Sequence, residues 1–150
     1  MIRFMKTSDT AIIPTLGTDG AAGFDLYADN AFPISVGFGG VAVVPLGIAM
    51  AIPAGWAGII HPRSGLAARH GLDALGVFTE KTFAGLIDSD YRGSVFVVLT
   101  IAGTGTRLVI NRGDRIAQIV FSPVETQSIE VESLEDTVRG SGGFGSTGTR

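Results

Sequence analysis

The sequence predicts an all-β domain, a sandwich or barrel, on three observations. Helical periodicity is nearly absent. Short runs of β-branched and aromatic residues recur along the chain. Turns rich in Gly and Pro separate them at regular spacing. The 150 residues suit one domain that can bury its own core.

Taken in order, the expected strands are residues 41–44, 47–52, 56–61, 95–101, 107–110, 116–121 and 128–131. Turn chemistry divides them at Thr18-Asp19-Gly20, Pro53-Ala54-Gly55, Gly103-Thr104-Gly105 and Arg112-Gly113-Asp114. One short helix is expected around residues 66–75. No internal repeat or interdomain linker interrupts the chain. The last dozen residues, RGSGGFGSTGTR, hold five glycines and one aromatic, so they cannot bury a core. The expected organisation is a β domain over 1–138 followed by a flexible arm over 139–150.

Composition narrows the function classes. A net charge of −3 offers no basic field for a nucleic-acid backbone. There is no Cys, hence neither disulfides nor a thiolate metal site, and a cytoplasmic location is expected. MIRFMKTSDT carries no apolar signal region. The run VAVVPLGIAMAIPAGWAGII is broken by Pro45, Pro53 and three glycines, which speaks against a membrane span. Only 17 % of residues are charged, against about a quarter in ordinary soluble domains. The simplest resolution is that part of the apolar surface lies between subunits.

Several motifs are excluded. GxxxxGK[ST] and GxSxG are absent. GSGGFG at 140–145 matches GxGxxG, but no βαβ unit frames it. His61 and His70 lack metal-ligand spacing and are expected to be structural or surface groups.

Four stretches concentrate chemistry. AGLIDSDYRGSV (84–95) puts Asp88, Asp90, Tyr91 and Arg92 within five residues of a mostly apolar chain. In PRSGLA (62–67), Ser64 can cap a helix whose first N–H groups attract anions, with Arg63 supplying a bidentate fork; an ordinary cap beside a solvated Arg is the alternative. In AAGFDLYA (21–28), alternation puts Asp25 on the face opposite Phe24 and Leu26, toward solvent, an ion or a partner chain. In RGDRIAQIVF (112–121), Gln118 lies among apolar residues, so its amide must bond to backbone or to a ligand.

Together and in this order, AGFDLYA, PRSGLA, GLIDSDYRG, GDRIAQIVF and RGSGGFGSTG resemble the five motifs of the homotrimeric dUTPase family, the deoxyuridine triphosphate nucleotidohydrolases, over residues 19–148. The resemblance implies a jelly-roll-like distorted β-barrel (the dUTPase-like β-clip), assembled as a homotrimer with three active sites at subunit interfaces. It implies hydrolysis of dUTP to dUMP and pyrophosphate with Mg²⁺, which limits dUTP and supplies dUMP for thymidylate synthesis.

It also implies roles for individual residues. Asp88 is the general base for water attacking the α-phosphorus. Tyr91 lies under the deoxyribose and leaves no room for a 2′-hydroxyl, while the backbone of Leu86, Ile87 and Asp88 holds sugar and base. Arg63, Ser64 and Gly65 bind the phosphates, and Gln118 reaches them from another subunit. Asp25 holds Mg²⁺ through water. In the closing arm Arg139 pairs with the terminal phosphate, Phe144 stacks on uracil, and Gly145 and Ser146 add contacts. Asp90 and Arg92 serve the fold or the trimer.

The chain departs from the family pattern between Gly71 and Gly85, where LDALGVFTEKTFA contains an apparent insertion. Thr82 stands where an asparagine is common in the uracil-reading hairpin, and Phe96 stands where some relatives carry a basic residue. Two other readings remain. One is a dCTP deaminase, or a bifunctional deaminase–dUTPase, of the same fold, although Glu80 does not sit in a deaminase-like motif and the GFGSTG tail is foreign to deaminases. The other is a nucleotide-bound regulatory module that docks another protein.

Overall fold

The structure, a computed structural model, describes residues 1–63, 72–73, 85–101 and 107–142. They form twelve strands: β1 (Arg3–Lys6), β2 (Thr15–Leu16), β3 (Phe24–Tyr27), β4 (Ile34–Gly37), β5 (Val41–Pro45), β6 (Ile48–Ala51), β7 (Trp56–His61), β8 (Leu72–Asp73), β9 (Leu86–Ile87), β10 (Phe96–Ile101), β11 (Arg107–Ile110) and β12 (Arg115–Pro123). All strand pairings are antiparallel. Among the described residues there is no helix.

Four sheets wrap one core in a jelly-roll-like barrel. Their orders are β1-β6, β5-β10-β8, β11-β4 and β2-β3-β12-β7-β9. The interior is aliphatic: Leu26, Val44, Leu46, Ile48, Val97, Leu99, Ile101, Ile110, Ile116 and Ile119 are fully buried. Each such side chain contributes about 1.5–3 kcal/mol relative to exposure. β5 shows why strands form here. Its burial alternates, with Ala42 and Val44 inward and Val41 and Val43 exposed, as the two-residue repeat of a pleated strand requires. Phe4, Phe24 and Phe121 meet with ring centroids 5.8–6.2 Å apart and lock the β1-β6 sheet onto the five-stranded sheet.

Expectation and structure differ in three places. Residues 128–131 are not a strand: SIEV alternates as a strand should, but it pairs with no strand among the described residues, and Ile129 is 87 % exposed. The helix expected around 66–75 falls mostly outside the described residues; at Leu72–Asp73 the chain is instead a strand, paired with Thr100 and Ile101. The strands β1, β2, β4, β8 and β9 were not expected from the sequence. The turn expected at Gly103-Thr104-Gly105 also lies outside the described residues.

Candidate active site

Two cavities collect the polar residues that stand out in the sequence. The first lies at the edge of the five-stranded sheet, where β9 adds to β7 with Ile87 opposite Gly58 and Leu86 opposite Ile59. It measures about 260 Å³ and is lined by Ile60, Leu86, Ile87, Asp88, Tyr91, Ser94, Val95 and Phe96. Ile87 points into the core, and Asp88, the next residue, emerges exposed. A turn follows at once: the Tyr91 N–H donates to the Asp88 carbonyl at 3.2 Å. Arg92 ties this turn together, with Nη1 donating to the carbonyls of Ser89 and Tyr91 at 2.7 Å each. An exposed carboxylate thus stands at the mouth of a half-apolar cavity with an aromatic ring beside it.

The second cavity, also about 260 Å³, is polar and lies across β3 and β12. Asp25, Arg63, Arg115 and Gln118 line it together with Gly17, Thr18, Ala21 and Gly23. Asp25 and Gln118 are register partners. Asp25 is nearly buried, and both its carboxylate oxygens are engaged: Arg63 Nε lies 3.0 Å from Oδ1 and Arg115 Nη1 lies 3.1 Å from Oδ2. The Arg63 Nη1 also donates to the Arg115 carbonyl at 3.3 Å, so the fork is held at two points. The Gln118 amide donates to the Pro62 carbonyl at 2.9 Å, tying β12 to the segment that carries Arg63. Gly23 leaves room for that amide, because a Cβ there would stand 3.1 Å from Gln118 Oε1. Two guanidiniums against one carboxylate leave one net positive charge in a chain that is negative overall, which suits an anion.

Arg115 was not singled out from the sequence. In a regular strand, Arg115 and Gln118 would face opposite sides. β12 carries a bulge between Arg115 and Ala117, so Arg115 pairs with Tyr27 while Ala117 pairs with Leu26. The extra residue, Ile116, brings Arg115 round to the face of Asp25 and Gln118. The signal in the sequence is the adjacent apolar pair Ile116-Ala117, both buried, which breaks the alternation.

The family model described as dUTPase matches residues 9–148. The chain belongs to the dUTPase family. It is 46 % identical over 137 residues to the deoxyuridine 5'-triphosphate nucleotidohydrolase of Gloeobacter violaceus, covering 91 % of this chain and 88 % of that one. It is 45 % identical over 148 residues to the human mitochondrial deoxyuridine 5'-triphosphate nucleotidohydrolase, covering 98 % of this chain and 54 % of that one. In fold it is similar to the dUTPase of Staphylococcus bacteriophage 80alpha with dUPNHPP: TM-score 0.78 at 24 % identity, covering 99 % and 98 % of the two chains.

For this dUTPase, the residues expected to act are thus divided. Asp25, Arg63 and Gln118 share one cavity, and Leu86, Ile87, Asp88, Tyr91 and Phe96 share the other; the two have no lining residue in common. Arg139 lines neither and sits exposed in a turn whose Gly142 N–H donates to its carbonyl at 3.0 Å. Ser64, Gly65, Thr82, Phe144, Gly145 and Ser146 lie outside the described residues, as does His70, while His61 is exposed at the end of β7. Among the described residues, no three His, Asp or Glu side chains converge to cage a metal. Each Asp25 oxygen keeps a further lone pair beyond its guanidinium contact. A single carboxylate with those lone pairs, and no second acid among the described residues lining its cavity, fits a hydrated Mg²⁺ reached through water.

Proposed function

We propose that the protein hydrolyses dUTP to dUMP and pyrophosphate, by attack of water on the α-phosphorus, with Asp88 as general base. The observation that carries this reading is the exposed Asp88 carboxylate at the mouth of a nucleoside-sized cavity that also presents Tyr91. An ionised carboxylate within reach of one water can orient it and take its proton as the new P–O bond forms. The Tyr91 ring lies under the deoxyribose, with Phe96 on the same wall and the backbone of Leu86, Ile87 and Asp88 reading sugar and base. Arg63, fixed by Asp25, offers its remaining donors to the phosphates, and Gln118 completes that cradle. Mg²⁺ carried on the triphosphate would supply further charge neutralisation there, with Asp25 holding it through water. Holding the reactants in line and neutralising charge carries most of the rate. Ser64, Gly65, Thr82 and the arm residues Arg139, Phe144, Gly145 and Ser146 complete the site as the family resemblance implies.

The active unit is a homotrimer in this reading, located in the cytoplasm. Three features support the assembly. The two cavities share no lining residue in one chain, which accords with a site completed across a subunit boundary. The outer face of β5 and β10 is apolar, with Val41, Val43 and Phe96 about half exposed, and Phe96 belongs to the nucleoside cavity as well. The unpaired 128–131 stretch exposes Ile129 beside acidic Glu130 and Glu132, while an apolar groove of about 290 Å³ at β1 and β6 is flanked by Arg3 and Arg92.

The test is pyrophosphate release from dUTP by wild type and Asp88→Asn, with binding of a non-hydrolysable dUTP analogue measured by calorimetry. We expect turnover to fall by about 10²–10⁴ while binding persists. Ammonia released from dCTP would assign the deaminase chemistry instead, and a wild type that binds dUTP without turnover would favour the regulatory reading.

A further inference from the structure

Gly93 lies against the ring of Tyr91. A Cβ at Gly93 would stand 2.5 Å from the Tyr91 hydroxyl oxygen, 2.7 Å from Cζ and 3.1 Å from Cε2. Non-bonded carbon contacts are favourable only near 3.5–4.0 Å, roughly, so the ring and any side chain at 93 cannot share this space. In the wild type the ring is held in place. Its hydroxyl donates to the Ser94 carbonyl at 2.9 Å. The backbone behind it is fixed from both directions, by the Tyr91 N–H on the Asp88 carbonyl and by Arg92 on the Tyr91 carbonyl. Tyr91 therefore lies against its own loop, two residues before a position that has no side chain, and Asp88 begins the same turn.

We propose that Gly93 is a positioning residue for the sugar specificity of this site. By lacking a side chain, it lets Tyr91 settle at one fixed height in the nucleoside cavity, and that height separates a 2′-deoxyribose from a ribose. The proposal rests on reading the site as one for dUTP. With alanine at 93 the ring lifts off the loop, loses the Ser94 carbonyl and turns about its two side-chain torsions. A wall that moves no longer rejects one hydroxyl, because discrimination of this kind needs a fixed steric boundary. Gly93 itself touches no substrate; it acts through the ring.

The experiment compares kcat/KM for dUTP and for UTP in wild type, Gly93→Ala, Tyr91→Ala and the double variant, alongside a crystal structure of Gly93→Ala. The expected result is a dUTP/UTP ratio at least about tenfold lower in Gly93→Ala, and no further change when Gly93→Ala is added to Tyr91→Ala, since the ring it displaces is gone. An unchanged ratio in Gly93→Ala overturns the proposal. An equal loss in both backgrounds also overturns it, because Gly93 would then act through the backbone. Failure of Gly93→Ala to fold counts against it too, as the loop is exposed and the ring's displacement leaves the core intact. A wild type inert toward dUTP would defeat the functional reading alone; the position of Tyr91 in the Gly93→Ala crystal then decides the proposal, and an undisplaced ring overturns it.

Discussion

Arg115 reaches Asp25 Oδ2 at 3.1 Å because β12 carries one residue too many for its partner strand. Asp25 thereby holds two guanidiniums, and the bulge that presents the second also sets Gln118 opposite the same carboxylate. If Arg115 lends charge and position to the phosphate cradle, and takes no part in bond making, then Arg115→Ala removes binding shared by ground and transition states. We expect KM for dUTP to rise about tenfold with kcat within about twofold of wild type. Arg115→Lys should recover only part of the loss, since an ammonium lacks the planar fork. Steady-state kinetics of the three proteins checks this; a fall in kcat at unchanged KM would contradict it.

The strands rich in β-branched residues were legible because their side chains are selected by burial on one face. β7 and β11 have the bounds the sequence suggests, and β12 extends the expected run by one residue before it and two after. β1 and β9 were not legible. RFMK and LI are too short to show an alternation of their own, and their state is set by the edges they join, β6 and β7. The stretch 128–131 shows the converse, a strand pattern that meets no strand among the described residues. The polar clusters were legible, since Asp88 and Tyr91 stand out in an apolar chain and line one cavity, and Gln118 had to find a partner, which is the Pro62 carbonyl. The engagement of Arg115 was not legible, because a one-residue bulge leaves only a local break in alternation.

Removing the arm should separate catalysis from assembly. Residues 139–142 contact the chain only locally among the described residues, through hydrogen bonds between Gly140 and Thr137 and between Gly142 and Arg139. Among the described residues, a protein ending at Val138 therefore loses only hydrogen bonds local to the arm. We expect most dUTP turnover to be lost, at least about tenfold, while molar mass by light scattering stays that of the intact assembly. Full activity in the shortened protein would remove Arg139 and the residues after it from the mechanism.

Gly47 should resist substitution. It adopts φ +63°, a conformation in which L side chains are strained, and a Cβ there would collide with the Asp29 carboxylate and stand 2.9 Å from the Ala11 Cβ. Its carbonyl accepts from the Thr7 N–H at 2.7 Å, so the N-terminal segment is fastened at the same point. We expect Gly47→Ala to cost about 2–4 kcal/mol in urea unfolding, the sum of backbone strain and a displaced carboxylate. Gly55→Ala has a similar φ but meets no atom within 4 Å, so it should cost clearly less. Equal costs would mean that strain alone decides, and that the Asp29 contact is immaterial.

Asp29 should make stability depend on acid. Burial works against its charged form. Hydrogen bonds from Ser8 and Thr10 and the charges of Arg112 and Lys6 outweigh burial and hold its carboxyl below the ordinary value of 3.8. Thr10 Oγ1 donates to Oδ1 at 2.6 Å and Ser8 Oγ donates to Oδ2. With the folded-state pKa depressed, the unfolded chain binds the proton more readily. The stabilisation is then complete above the unfolded value and is lost as pH falls through the folded one. Comparing wild type with Asp29→Asn cancels the other carboxylates. We expect the wild type to be the more stable at pH 7, from charge-assisted hydrogen bonds, and the gap to close progressively as pH falls below about 4. Urea unfolding of both proteins from pH 7 to pH 2 measures it. A gap that stays constant across that range would show that the Ser8 and Thr10 hydroxyls hold the protonated acid as well as the carboxylate, and that Asp29 is not part of the acid response.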